Sequence, residues 1–173
     1  MVPYRIVDRP AFTVAGRSTW IGGPDNEQFG RFWAQCQSDG TFDRFQALTA
    51  MSPGPQTQAH VLGVSRVEAD PSHREFTFLI GVEVPADAAT GELEQVTVPA
   101  CRWAVFEAHG PVPETLVAAE MAAFMEWLPT SGYVHALAPE MEVYPPSPDG
   151  QPYCEFWLPV TQVGASATGR ESD

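Results

Sequence analysis

The segment "CEFWLPV", residues 154–160, decides the fold, because an earlier part of the chain repeats its pattern. The earlier segment reads "FTFLIGV" and occupies residues 76–82. In both segments every second side chain is apolar, which is the period of a β-strand with one face against a core. The strands predicted over 75–84 and 153–162 are therefore expected to be equivalent members of two related halves.

The start of each half carries a second correspondence. "RPAFTVAG" at residues 9–16 resembles "VPACRWAV" at residues 98–105, an offset of 89 residues. At the same offset Pro24 matches Pro113, and each proline opens a helical pattern. Each half is thus predicted to run strand, helix, strand, strand.

The domain organisation follows from this duplication. A length of 173 residues suits one domain with a sizeable core. We expect a single domain over residues 1–164, with one repeat over about 1–86 and the other over about 93–164. Residues 165–173 are small and polar and are predicted to form a flexible tail.

Two such halves predict an α+β fold with pseudo-twofold symmetry. The helices, predicted near 25–37 and 114–128, would both pack on one face of an antiparallel sheet. Strand parity directs five apolar side chains to the helix side: Phe76, Phe78, Ile80, Phe156 and Leu158. The opposite face would carry Glu155 and Trp157, and a ligand cleft is expected there, where the halves meet.

Charge and hydropathy restrict the partners. Nine arginines supply all of the basic charge, and the net charge is −13. Because nucleic acid binding depends on neutralising phosphates, we expect no direct nucleic acid binding. The acidic balance favours a cationic partner, although solubility alone explains it equally well. The apolar runs are far shorter than the ~18 residues of a membrane span, and the first residues do not resemble a signal peptide, so we expect a cytoplasmic protein.

Motifs for metals and cofactors are missing from the sequence. The chain has four histidines, His60, His73, His109 and His135. Their spacing fits neither HxH nor HExxH, and neither a glycine-rich nucleotide-binding motif nor a GxSxG elbow occurs. The three cysteines lie far apart in apolar patterns, as expected for core thiols. We therefore expect no metal and no cofactor.

Glu155 and Trp157 are the first candidate ligand contacts. A solvated strand edge would explain the acid but gives no reason for a large aromatic side chain on the same face. A ligand groove explains both residues. A carboxylate among aromatic rings is costly unless a bound cation compensates it. The rings themselves add a cation–π attraction of about 0.5–2 kcal/mol each. The alternative for Glu155 is a buried ion pair with an arginine.

Two further pairs are candidate ligand contacts. Strand parity gives Glu142 and Tyr144 a common face, and it does the same for Trp103 and Glu107. We place both pairs on the cleft side. Trp103 could instead belong to the core, and Glu107 could be a solvated strand end. The alternative for Glu142 is an ion pair with an arginine such as Arg102.

Several motifs resemble a known family. "YRIVDRPAFTVAG" (4–16), "EWLPTSGY" (126–133), "EMEVYPP" (140–146) and "EFWLPV" (155–160) are similar, in this order, to motifs of the GyrI-like family. That family includes the effector-binding domains of multidrug-sensing transcription regulators and free-standing single-domain proteins. The resemblance implies a duplicated βαββ fold with a ligand cleft between the halves. It also implies that Glu155 meets cationic, aromatic, lipophilic ligands.

Three functions are compatible with these observations. The first is binding of a small hydrophobic cation, for sequestration or for effector sensing with a separate and unidentified protein partner. The second, which the resemblance implies, is hydrolysis of strained electrophilic molecules, with Glu155 as general base and Tyr144 as hydrogen-bond donor. The third is inhibition of DNA gyrase, the activity of the family's namesake. We rank them in this order.

Overall fold

The computed structural model describes residues 2–51, 54–58, 60–146 and 149–164, so the predicted tail lies outside the described residues. The strands are β1 (Tyr4–Arg9), β2 (Phe12–Ile21), β3 (Val61–Ser65), β4 (Phe76–Val84), β5 (Glu94–Val98), β6 (Cys101–His109), β7 (Tyr133–His135), β8 (Glu140–Tyr144) and β9 (Tyr153–Gln162). The helices are α1 (Glu27–Ser38), α2 (Thr41–Met51), α3 (Glu114–Met121), a π-helical continuation of α3 (Ala122–Trp127) and α4 (Leu128–Ser131). These elements confirm the predicted α+β class.

The strands join one antiparallel sheet in the order β1-β6-β9-β8-β3-β4-β2-β5, with β7 beside β9. The β8–β3 pair is the centre of this order. On one side follow β9, β6 and β1, and on the other side β4, β2 and β5. The symmetric order is compatible with two duplicated halves, and the duplication itself stays a prediction.

The outer strands cross between the two predicted repeats. β1 pairs with β6, and β5 pairs with β2, so each repeat contributes one outer strand to the other. Pro10 separates β1 from β2, and Pro99 separates β5 from β6. The sequence alone predicts one continuous strand over 95–108, but proline has no N–H for the sheet and interrupts it.

The helices cover one face of the sheet over two separate apolar clusters. α1 and α2 pack on the cluster that contains Phe76, Phe78 and Ile80. α3 and its continuation pack on the cluster that contains Phe156 and Leu158. All five residues predicted for the helix side therefore lie there, and the boundary between the two clusters runs along β3 and β8.

The helix-free face carries a third cluster, which is fully packed. Trp103 and Trp157 lie in it with ring centroids 5.8 Å apart, and they are 0% and 4% exposed. Residues of β2 and β5, near one end of the sheet, belong to the same cluster as residues of β6, near the other end. The cleft predicted for this face is not open in the described part of the chain, because large apolar side chains fill it. Trp103 is a core residue.

Candidate ligand-binding site

The residues predicted to line one cleft lie on opposite faces of the sheet. In the β8–β9 register Val143 is paired with Glu155, and Glu142 is paired with Phe156. Paired residues share a face, so Glu142 and Tyr144 lie on the helix side with Phe156. Their predicted placement beside Glu155 is wrong. Parity within a strand gives alternation, but the phase between two strands depends on a register that the sequence does not show.

Glu155 on the helix-free face is already neutralised. Its Oε2 accepts hydrogen bonds from Arg5 Nη2 at 2.9 Å and from the Tyr153 hydroxyl at 2.6 Å, and its Oε1 accepts one from Trp157 Nε1 at 3.1 Å. Burial raises the pKa of Glu155, but the hydrogen bonds from Tyr153, Arg5 and Trp157 outweigh it, and the pKa lies below its usual value. Glu155 thus adopts the alternative of a buried ion pair.

Glu107 extends this ionic network. It lies directly opposite Glu155 in the β6–β9 pair, 3.9 Å from Arg5 Nη1 and 2.8 Å from His109 Nε2. Glu107 therefore shares the helix-free face with Trp103, as predicted. The predicted catalytic pair of Glu155 and Tyr144 is not formed, since the two side chains are on different faces of the sheet.

Glu142 and Tyr144 form a second polar cluster, between the two helix-packed cores. The Tyr144 hydroxyl donates a hydrogen bond to Glu142 Oε2 at 2.5 Å. Opposite Glu142 in the β3–β8 pair is Gly63. A Cβ on Gly63 would be 2.8 Å from the Phe78 ring and 2.9 Å from Glu142 Oε2, so the glycine provides the space for this carboxylate. Glu142 does not pair with Arg102, which binds Asp8 instead.

The neighbouring helices complete the cluster with an aromatic ring and a second acid. The Trp33 ring of α1 meets the Tyr144 ring edge-on, with centroids 5.0 Å apart. Glu120 of α3 is close enough for its charge to act on Tyr144 and on Arg74. In the described part of the chain Glu120 forms neither a hydrogen bond nor an ion pair. We call Trp33, Glu120, Glu142 and Tyr144 the central site.

Both acids of the central site bind protons more tightly than usual. Burial, reinforced by the charges of Glu142 and Glu140, raises the pKa of Glu120 to about 8. Burial also raises the pKa of Glu142 to about 7, although the hydrogen bond from Tyr144 opposes this shift. Both residues are partly exposed, while burial is the largest cause of the raised pKa of each carboxyl group. The central site therefore holds two carboxyl groups whose negative charge is poorly compensated.

A third acid next to the central site is compensated. Arg74 Nη1 and Nη2 each donate to one oxygen of Glu140 at 2.9 Å, and His135 Nε2 lies 2.9 Å from Oε2. Burial raises the pKa of Glu140, but the hydrogen bonds from His135 and Arg74 outweigh it, and the pKa lies below the usual range. Arg74 also lies over the Phe76 and Phe124 rings. Arg74 is thus paired with Glu140, and its charge lowers the pKa of Glu120 by less than burial and the neighbouring acids raise it.

Sequence reasoning identified two of the four residues of the central site. Glu142 and Tyr144 are marked by their alternation in β8. Trp33 belongs to the apolar stripe of a helix, so its pattern indicates a core residue. Glu120 has no local signal, because a single acid on a helix is typical of a solvated face. Within the described ranges no three His, Cys, Asp or Glu side chains come together as metal ligands.

Comparison with solved structures shows the same fold. SAV2435 bound to tetraphenylphosphonium superposes with a TM-score of 0.73 at 20% identity, covering 94% of this chain and 96% of that one. A protein from Staphylococcus aureus MU50 gives 0.70 at 20% identity, with 93% and 99% covered. The C-terminal domain of EcmrR gives 0.60 at 16% identity, with 94% and 99% covered.

Sequence comparison assigns the family. No curated protein matches the chain. The described helices include none that is both long and apolar enough to span a membrane. The model of the GyrI-like small molecule binding domain matches residues 3–161, which is nearly the whole chain. The chain therefore belongs to the GyrI-like family of small-molecule-binding domains.

Proposed function

We propose that the protein binds lipophilic aromatic cations at the central site. One observation carries the proposal: Glu120 and Glu142 lie together in partly buried positions, and the nearest arginine is already committed to Glu140. Two uncompensated acids in one such site cost free energy, because burial disfavours the charged form. A bound organic cation removes this cost.

The aromatic side chains favour a lipophilic cation over a metal ion or a small ammonium ion. The Trp33 ring contacts the ring of Tyr144, whose hydroxyl binds Glu142, and the Phe78 ring borders the same space at Gly63 as the Glu142 carboxylate. A cation placed over such rings gains about 0.5–2 kcal/mol per ring. Stacking needs no fixed hydrogen-bond pattern, so we expect the site to accept several ligands of this class. Tetraphenylphosphonium, which is bound in the SAV2435 structure, is a lipophilic aromatic cation.

The proposal places ligand contacts at residues other than the first candidates. Glu142 and Tyr144 are retained from the sequence-based set. Binding by Glu155, Trp157 or Trp103 would need a cation to displace Arg5 or to open a packed core. A cation that displaced Arg5 would only replace one positive partner of Glu155 by another, so the carboxylate would be no better compensated than before. We therefore assign Glu155 a structural ion pair.

Isothermal titration calorimetry with tetraphenylphosphonium tests the assignment. We expect one ligand per chain at pH 8, with affinity reduced about tenfold or more in Glu142→Gln and in Glu120→Gln. Glu114→Gln is the matched control, because this acid lies in the first turn of the same helix as Glu120 and is exposed. Its affinity should stay within about twofold of the wild type.

A set of contrary results would overturn the proposal. Affinity that is lost in Glu155→Gln and kept in both central-site variants would move the site to the helix-free face. Equal affinity for triphenylphosphine oxide, which is uncharged, would show that the acids do not contribute. A thermal melt of each variant checks that it is folded.

A second function, hydrolysis of electrophilic small molecules, is favoured by one contact. The Tyr144 hydroxyl donates to Glu142, whose pKa of about 7 suits a general base or acid near neutral pH. In this function Glu142 replaces Glu155 as the base. A strained electrophile, such as an epoxide, would be consumed by the wild type, and Tyr144→Phe would lower kcat more than binding. Recovery of every test compound unchanged would exclude this function for that compound class.

A further inference from the structure

We propose a second ligand site, specific for a small carboxylate with an apolar body, in the cavity beside Arg9. The cavity has a volume of about 750 Å³. It is an open groove lined by the end of β1, the β5–β6 connection, β7 with the turn that follows it, and the last residues of β9. The proposal is independent of the cation-binding function, since neither acid of the central site lines this cavity.

The guanidinium of Arg9 is the group that would bind the carboxylate. In the described part of the chain it has no carboxylate partner, and its Nε is buried without a hydrogen-bond acceptor. Its polar contact is one long hydrogen bond, 3.4 Å, from Nη1 to the Asp8 carbonyl oxygen, and its Cζ lies over the Trp157 ring, 6.0 Å from the ring centroid. A buried donor without an acceptor costs about 1–3 kcal/mol, so an occupant that supplies an acceptor is stabilised here.

The charge of the cavity wall has the sign opposite to that of the protein. Two arginines, Arg9 and Arg102, and one acid, Asp8, line the cavity. Asp8 is held by Arg102, with Nε–Oδ1 at 2.8 Å and Nη2–Oδ2 at 3.2 Å. One positive charge therefore remains, on Arg9, in a chain with a net charge of −13. This charge arrangement selects an anion and disfavours the cations of the central site.

The remaining wall is mainly apolar and sets the size of the ligand body. Leu137 is 73% exposed beside the cavity, and Val160 and Cys101 also line it. Burial and the charge of Asp8 raise the pKa of Cys101 to about 12, so its thiol is neutral and serves as an apolar surface. The planar guanidinium of an arginine can donate two parallel hydrogen bonds to the two oxygens of a carboxylate. The ligand class is thus an aryl or alkyl carboxylate.

Calorimetry with 1-naphthoate tests this site. We expect one naphthoate per wild-type chain, and an affinity at least tenfold lower in Arg9→Gln. Arg9→Lys, which keeps the charge but loses the fork, should lie between them. Arg31→Gln is the matched control, because Arg31 of α1 pairs with Asp25 and does not line the cavity; the affinity of this variant should stay within twofold of the wild type.

Three further results decide the matter. The uncharged 1-naphthalenemethanol should bind wild type and Arg9→Gln equally, and weakly. Glu142→Gln should keep its naphthoate affinity, while Arg9→Gln should keep its affinity for tetraphenylphosphonium, so failure of one site is separable from failure of the other. Equal naphthoate affinity of wild type and Arg9→Gln, or no binding at millimolar concentration, would overturn the proposal and leave water as the partner of Arg9.

Discussion

Gly63 lies directly opposite Glu142 in the central strand pair, and the carboxylate occupies the space that a side chain on Gly63 would need. This relationship joins β3 of the N-terminal part to β8 of the C-terminal part at the floor of the central site. It also couples the shape of the site to the packing of the sheet, because the Phe78 ring touches the same space.

Gly63→Ala should damage both stability and binding. The new methyl group would lie within 3 Å of both Phe78 and Glu142, so both side chains must shift. Overpacking of this kind costs about 1–3 kcal/mol of unfolding free energy, measured by urea denaturation. The control is Gly30→Ala at an exposed position of α1, where a Cβ meets nothing within 4 Å. There alanine should raise the unfolding free energy by up to about 1 kcal/mol. Equal effects of the two changes would contradict this account.

Cation affinity should rise with pH. The pKa of Glu142 is about 7 and that of Glu120 about 8, so each acid is partly protonated near neutral pH. A cation binds the ionised form, and binding therefore strengthens between pH 6 and pH 9 and releases protons near pH 7. Calorimetry in buffers of different ionisation enthalpy counts these protons. Affinity that does not change with pH would show that neither acid contacts the ligand.

The same acids should make the ligand-free protein less stable at high pH. The pKa of Glu120 is raised on folding to about 8. At pH values between the unfolded pKa and 8, Glu120 is therefore protonated in the folded state and ionised in the unfolded state. The stabilisation is complete below the unfolded pKa and is lost as pH rises through 8. Each unit by which the folded pKa exceeds the unfolded pKa corresponds to at most about 1.4 kcal/mol of unfolding free energy. Glu120→Gln should therefore gain unfolding free energy, relative to wild type, more at pH 9 than at pH 5.

Arg5→Met should affect stability and leave cation binding unchanged. The change removes the charged partner of Glu155, which is itself 7% exposed. Because Arg5 is nearly half exposed, we expect a loss of only about 1–2 kcal/mol at pH 7. The pKa of Glu155 is lowered on folding, so this loss should shrink as the pH falls below 4. A large loss of tetraphenylphosphonium affinity in Arg5→Met would contradict the structural assignment.

Trp33 should report ligand binding through its fluorescence. Its ring lies against Tyr144 in the central site, whereas Trp20 is 59% exposed on β2. Trp33→Phe should weaken tetraphenylphosphonium binding up to about tenfold and remove much of the fluorescence change, because a smaller ring gives a weaker cation–π contact. Trp20→Phe should leave both quantities unchanged. The reverse pattern would place the ligand near Trp20.

Alternation in single strands was the part of the fold that the sequence could predict. The pattern from Phe76 to Val84 and that from Tyr153 to Val160 specify strands with one apolar face, and the structure has both. α2 was not predicted, although Gly40, with φ of +84°, ends α1 and allows a second helix to start at Thr41. Its Phe42, Phe45 and Leu48 recur every third residue and pack on the same apolar cluster.

The central site was only half predictable, for a physical reason. Glu120 and Glu142 are brought together by packing of α3 on the sheet, and this contact joins segments that share no local pattern. The face on which Glu142 lies depends on the β8–β9 register, in which a slip of one residue would reverse it. Strand alternation predicted that Glu142 and Tyr144 lie on the same face, and it could not predict whether that face is the helix-covered or the helix-free one.

The crossing of β1 and β5 between the repeats has a consequence for how the chain folds. Tyr4 is paired with Phe106, and Phe12 with Val98, so both outer strands find their places through partners far away in the chain. Such distant pairings slow folding. A polypeptide cut in the 85–92 link would therefore yield two fragments that complement each other, and neither fragment alone would complete its own portion of the β-structure.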